Sequence, residues 1–525
     1  MVRGNAILKI DTQTGGSELV AGSVRIGGTE DGLASIAHFY GPTGIWSDTF
    51  TLYVADSSND AIRAVELLPP ATSALPYSIG FSPTFSKTSL GVAPKMSIGY
   101  GRLRSAGGTQ SIDGFAIFGL RQNGVLVSEA AVPASPLIRN GRIVADVSGR
   151  VNTGIAMANP NTEPANISFY FTDGAGNNFG SGTFSIAANS QISVFLNEEP
   201  FSHSVIPSLF SSARTLTFSS SVPIGVIALR GFTNERSEFL ITTMPVADLS
   251  ETTESPQIAL FALGGGWTTS INLINPSDVP ISGSIIFSGS GSSPIPYTVP
   301  VRSSFRLAPA SRPGPELRVG SIRVIPASGQ IAPAASVLFS FERNGITVAA
   351  SSIAAQTAAP AVRIYVEGLG TNGQSGSIDT GVALANPGAE TATFDLELWT
   401  DRNGTRSTSL QLPANGHVAL FLNEIPAFAD LPKPFRGVLR VSTTQRPGVA
   451  AVALRCRYNE RGDFLISSTP AVSESRSAAE RIFPHLVDGG GYSTQFVLFD
   501  SSGNSNTGVL EFYSRTGQPL ELPLF

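Results

Sequence analysis

The chain has one cysteine, Cys456, in 525 residues. That excludes an intrachain disulfide and any metal site built from cysteines. The four histidines, His38, His203, His417 and His485, are scattered, with no His-x-x-x-His spacing. Metal binding needs converging ligands, so these side chains read as exposed or incidental. Charged residues reach only 14%, against roughly 25% in an average soluble protein. The net charge is −5 and no run of Lys or Arg occurs, which gives no electrostatic reason to attract nucleic acid or an anionic membrane. No segment supplies the ~20 apolar residues of a membrane-spanning helix. The first ten residues lack the basic and apolar regions of an export signal. What the chain does have is 54 Gly, 36 Pro and 42% hydrophobic residues. Many turns and real cores follow, and a length of 525 calls for several domains.

Internal repetition organises the sequence. Thr153-Gly154-Ile155-Ala156 leading to Asn159-Pro160 returns as Thr380-Gly381-Val382-Ala383 leading to Asn386-Pro387. Phe195-Leu196-Asn197-Glu198 returns as Phe421-Leu422-Asn423-Glu424, and Asn234-Glu235-Arg236 as Asn459-Glu460-Arg461. A diverged relative runs from Gly264-Gly265-Gly266-Trp267-Thr268-Thr269 to Asn275-Pro276, and its own copy starts at Gly489-Gly490-Gly491-Tyr492-Ser493-Thr494. Two module types therefore alternate with a super-period near 225 residues. Short alternating strands between turns, with Asn123-Gly124, Asp173-Gly174, Asn344-Gly345 and Asn403-Gly404 as hairpin signals, indicate an all-β protein of tandem immunoglobulin-like β-sandwich modules. The expected boundaries are 139–247, 255–357 and 361–472 for complete modules. Residues 75–138 match only the back half of a module and 480–525 only the front half. Together the two ends make about one module, and truncation of a longer gene product is the favoured explanation. Head-to-tail completion between chains is an alternative.

Residues 1–67 read differently. Gly41-Pro42-Thr43-Gly44-Ile45, Leu52-Tyr53-Val54-Ala55-Asp56 and Asn59-Asp60-Ala61-Ile62-Arg63 resemble the NHL repeat, a β-propeller blade. Asn5 to Ile10, followed by Asp11 and Thr14-Gly15, resembles the end of a preceding blade. The resemblance implies an N-terminal partial propeller, far short of the four to eight blades that close a ring. The remaining modules resemble tandem sandwich repeats of large bacterial surface or secreted proteins. That implies an extracellular or cell-surface location, with a signal peptide upstream.

No catalytic, metal or cofactor residue emerges. Gly368-Leu369-Gly370-Thr371-Asn372-Gly373 matches a dinucleotide fingerprint, but the strand expected at Gly381 stands where a helix is required, so a loop is expected. Asn197-Glu198 and Asn423-Glu424 offer too few oxygens for calcium and read as turns or inter-module contacts. The candidate recognition loops are Arg230 with Asn234, Glu235 and Arg236, mirrored by Arg455 with Asn459, Glu460 and Arg461. Arginine forks there could grip a carboxylate or sugar hydroxyls, or simply pair with the loop glutamate. Trp267 and Tyr492, each after a glycine triplet, could stack on a sugar or pack internally. The expected function is a non-enzymatic adhesive, ligand-binding or spacer array, with a surface glycan or protein as partner. The rival is an accessory portion of a larger propeller enzyme, a lyase or hydrolase catalysing elsewhere.

Overall fold

The computed structural model describes all residues except 1, 11–14, 32–36, 48–50, 67–70, 81–82, 107–111, 206, 250–251, 289–292, 310–313, 403, 475–479 and 501–504. The hairpin expected at Asn403 and the blade positions Asp11 and Thr14 lie outside the described residues. The chain divides into two compact units, Met1–Thr72 with Pro523–Phe525, and Ser73–Leu522. In the first, Asn5–Ile10 sits between Val2–Arg3 and Ser17–Ser23 in one antiparallel sheet, and Thr51–Asp56 between Pro42–Ser47 and Ala61–Glu66 in another. Ile7, Ala21, Phe39 and Val54 form its core.

The larger unit is all-β. Its third module shows the plan in eight strands: Gln257–Leu263, Trp267–Ile274, Ile281–Phe287, Ile295–Val299, Ser304–Leu307, Arg318–Pro326, Ala334–Arg343 and Ile346–Ala354. They form two antiparallel sheets in the order 1-6-3-4 and 5-2-7-8. This is the expected face-to-face sandwich, although immunoglobulin constant domains order their seven strands differently. Period-two patterning drives it. In Ala392–Thr400 of the fourth module, Ala392, Phe394, Leu396 and Leu398 point into the core, and Asp395 between them is exposed. The second module fuses strands six and seven into one 21-residue strand, Ala213–Thr233, which pairs in both sheets.

The two partial modules meet. Ser97–Ser105 pairs with Glu480–Asp488 on one side and Asn506–Ser514 on the other. Tyr492–Asp500 lies between Thr84–Thr88 and Ile112–Gln122, and Asn506–Ser514 also pairs with Ala74–Ile79. The strand orders of the third module are reproduced, with strands one to three drawn from the C-terminal segment and four to eight from the N-terminal one. We call this the first module. Its sheets are completed within one chain, so the edges that two separate halves would expose are paired instead.

Two hydrogen-bond devices explain the repeated motifs. Thr153, Thr269, Thr380 and Thr494 occupy one position of the second strand. Each hydroxyl donates to a carbonyl and accepts the N–H of that same residue: Ala262, Glu367 and Val487 on the first strands for Thr269, Thr380 and Thr494, and Asp146, two residues past the first strand, for Thr153. The clamp ties the two sheets together where the chain crosses between them. The buried Asn159, Asn275 and Asn386 of the Asn-Pro motifs each donate to three backbone carbonyls and accept one backbone N–H two residues on. The glycine triplets are steric requirements. Gly264, Gly265 and Gly266 all have positive φ, and a Cβ on Gly264 would sit 1.8 Å from the Glu316 carbonyl oxygen. Asn123-Gly124 and Asn344-Gly345 make hairpins with both residues at positive φ, whereas at Asp173 the carboxylate accepts the N–H groups of Ala175 and Asn177.

The modules close into a ring of four. The first strand of one module packs on the second sheet of the next: Glu480–Asp488 on Val151–Ala158, Leu137–Val144 on Trp267–Ile274, and Gln257–Leu263 on Ile378–Ala385. Tyr365 of the fourth module completes the circuit, meeting Phe115 of the first edge-on at 5.5 Å within a cluster that includes Ile117, Val497 and Phe499. The eighth strands, Val125–Pro133, Phe239–Met244, Ile346–Ala354 and Phe464–Thr469, each contact their two neighbours around the centre, and Val125–Pro133 also touches Ile346–Ala354 across it. This is a head-to-tail interface that closes after four rotations, built within a single chain.

Candidate functional site at the ring axis

The repeated Asn-Glu-Arg loops converge where the eighth strands begin. Each starts as an asparagine turn. The Asn234 side-chain carbonyl accepts the N–H groups of Arg236 and Glu238, and that of Asn459 accepts those of Arg461 and Asp463, all at 2.9 Å. Their side-chain amides reach the next module, donating to the carbonyls of Thr347 and Leu126 respectively. The glutamates bind those same residues. Glu235 accepts the Thr347 N–H at 2.7 Å and Glu460 the Leu126 N–H at 2.9 Å. Burial would raise both carboxyl pKa values, but the backbone donors outweigh it and hold them below the usual glutamate range. Arg150 and Arg121 add ion pairs at 3.3 and 2.7 Å.

The loop arginines cross the axis. Arg236 of the second module pairs with Asp463 of the fourth at 2.7 Å, and Arg461 of the fourth pairs with Glu238 of the second at 2.6 Å. Two diagonal modules are thus stitched by a reciprocal pair of ion pairs. The alternation of module types has a physical meaning here, since modules carrying these loops face each other across the axis and modules carrying Asn-Gly hairpins receive them.

Arg455 lies deeper, between the fourth and first modules. Its guanidinium, 4% exposed, donates to Glu367 and, at 2.5 Å, to Glu129, which also pairs with Arg457 at 3.1 Å. Tyr365 donates to Glu367. Burial works against the Glu367 carboxylate, yet the Arg455 charge prevails and the pKa falls below its ordinary value. Arg230, the counterpart in the second module, makes no ion pair among the described residues. Its Nε is shielded and has no hydrogen-bond partner, and the guanidinium lies over Phe232 at 5.2 Å.

Trp267 packs on Phe341 of its own module at 4.8 Å and edge-on against Phe464 of the fourth at 6.4 Å. Tyr492 packs against a cluster containing Leu120 and Ile241, which belong to the first and second modules. Both are half-buried. The residues Gly368–Gly373 follow a strand, and no helix starts there; Leu369 and Ile378 exchange backbone hydrogen bonds at 2.9 Å instead. A cleft of 210 Å³ beside this loop is lined by Glu367, Asn372, Asp379, Asn423, Lys433 and Phe435, among others. Glu198 and Glu424 accept the N–H groups of Phe195 and Phe421, closing tight turns. His38, His417 and His485 are half-buried rather than exposed, and His203 is exposed. His417 and His485 each sit on a strand facing a neighbouring element, and desolvation pushes both imidazoles down to about 4. Cys456 is buried and its thiol is pushed up to about 12, which leaves it unreactive. Among the described residues no group of three His, Cys, Asp or Glu side chains is placed to hold a metal ion.

The sequence did not reveal Glu129, Glu367, Glu238 or Asp463. The last two follow the repeated loops by the same spacing and could have been read as part of the motif. Glu129 and Glu367 lie in different modules and carry no local signal.

No protein-family model matches the chain, and no curated protein does. Among solved structures, Thermotoga maritima protein 1070 is 14% identical with a TM-score of 0.19, covering 22% of this chain and 97% of its own. A GH2 β-galacturonidase from Eisenbergiella tayi, bound to galacturonate, is 8% identical with a TM-score of 0.15, covering 60% of this chain and 43% of its own. A tetra-tandem repeat from the extending region of a large adhesion protein is 11% identical with a TM-score of 0.10, covering 76% and 98%. Likenesses this weak carry no argument about function.

Proposed function

We propose that the protein is a non-enzymatic extracellular or cell-surface scaffold in which a closed ring of four sandwich modules holds binding faces at fixed spacing. The observation that carries this reading is the ring closure itself, through strands more than 350 residues apart in sequence, such as Arg102 and Glu480. The repeated polar motifs are largely spent on holding modules together. Asn234, Glu235, Arg236, Asn459, Glu460 and Arg461 all bond across module boundaries. A rigid ring leaves its outer sheets and rim loops as surfaces for a glycan or protein partner. The reading of residues 1–67 as NHL-like blades belongs to this proposal, supported by the strands at Pro42–Ser47, Thr51–Asp56 and Ala61–Glu66 that coincide with the motif. A glycan array and a cell-binding assay with the full chain test it. Saturable binding to one surface class is the expected result; the absence of binding to any would reduce the molecule to a spacer.

A further inference from the structure

The second and fourth modules carry equivalent arginines on the seventh strand, Arg230 opposite Thr153 and Arg455 opposite Thr380. Arg455 has two carboxylate partners, Glu367 in its own module and Glu129 on the eighth strand of the next. The register places Asp146 where Glu367 stands, because each clamps with the corresponding threonine. It places Ala350 where Glu129 stands, since Gly119 pairs with Glu129 and the matching Ser340 pairs with Ala350. Phe232 replaces Arg457. One acid is therefore shortened and the other removed. The guanidinium that remains has its Nε shielded and unpartnered, and burial pushes its pKa down to about 10. Its charged neighbours are Asp146 and Arg306, which pair with each other at 3.6 Å.

We propose that Arg230 is a binding site for a small monocarboxylate, which supplies between the second and third modules the group that Glu129 supplies between the fourth and first. The planar guanidinium matches a carboxylate in a two-pronged geometry, and the Phe232 ring beneath it fixes the orientation of the fork. Asp146 and Arg306 cancel, so the site presents one net positive charge and suits a monoanion better than a dianion. The protein's own fourth module shows that the fold accommodates a carboxylate at this place.

Titration calorimetry on the full chain, with sodium acetate and inorganic phosphate against a sodium chloride background of equal ionic strength, tests the assignment. Acetate binds saturably to the wild type, and the affinity falls about ten-fold or more in Arg230→Gln. The same loss occurs in Ala350→Glu, whose new carboxylate fills the site from within, and that variant keeps the proposal testable if Arg230→Gln does not fold. No saturable acetate binding, undiminished binding in both variants, or phosphate binding more tightly than acetate would overturn it.

Discussion

Replacing Glu129 by Ala removes the carboxylate that joins the first and fourth modules. The side chain is 6% exposed and holds Arg455, 4% exposed, at 2.5 Å, and Arg457, 21% exposed, at 3.1 Å. Breaking a buried ion pair by deleting one partner costs about 3–5 kcal/mol, because the other charge stays in a poorly solvated place. Glu367 remains to neutralise Arg455, which puts the expected loss at the lower end, about 3 kcal/mol, with less than about 1 from the more exposed Arg457. Urea unfolding followed by far-ultraviolet circular dichroism at neutral pH measures it. Arg150→Ala is the contrast, since Arg150 is 57% exposed and its glutamate, Glu235, 33% exposed; it removes only that ion pair, which contributes under about 1 kcal/mol. If Glu129→Ala loses less than about 1 kcal/mol, the buried network is not what holds that interface, and the reasoning fails.

Gly264→Ala adds a clash with the Glu316 carbonyl to the strain of φ +90 and costs more than Gly124→Ala, which at φ +78 in open space carries the left-handed backbone strain of about 1 kcal/mol alone; melting temperatures compare them. Thr380→Val leaves the Glu367 N–H without its acceptor in a buried clamp and costs about 1–3 kcal/mol by urea unfolding. Glu367 has a folded pKa below its ordinary 4.5, so its stabilisation is present above that value and lost as pH falls through the depressed one. The stability gap between wild type and Glu367→Gln, measured by urea unfolding at pH 7 and pH 3, should narrow at the lower pH.

Period and turn chemistry made the sandwich modules legible, because alternation in segments such as 392–400 and the Asn-Gly and Gly-triplet turns are local. The super-period also showed which modules are alike, and the matching half-modules at the two ends were visible. Their union within one chain was not what the sequence favoured: truncation explains two halves equally well, and nothing local says that Leu103 pairs with Leu510. The loop residues Glu235 and Arg236 were legible as a repeated motif. Their partners were not, since Thr347 and Asp463 are brought to them by ring closure rather than by spacing.

That closure is tested most directly by a designed disulfide. Arg104 and Val509 face each other across antiparallel strands, and both are half-buried rather than in the core. In a Cys456→Ala background, oxidised Arg104→Cys/Val509→Cys protein should form one intramolecular bridge closing a loop of roughly 400 residues. It would run as a compact monomer on a non-reducing gel and revert on reduction. Disulfide-linked dimers and higher ladders, at the lowest protein concentrations, would contradict a ring closed within one chain.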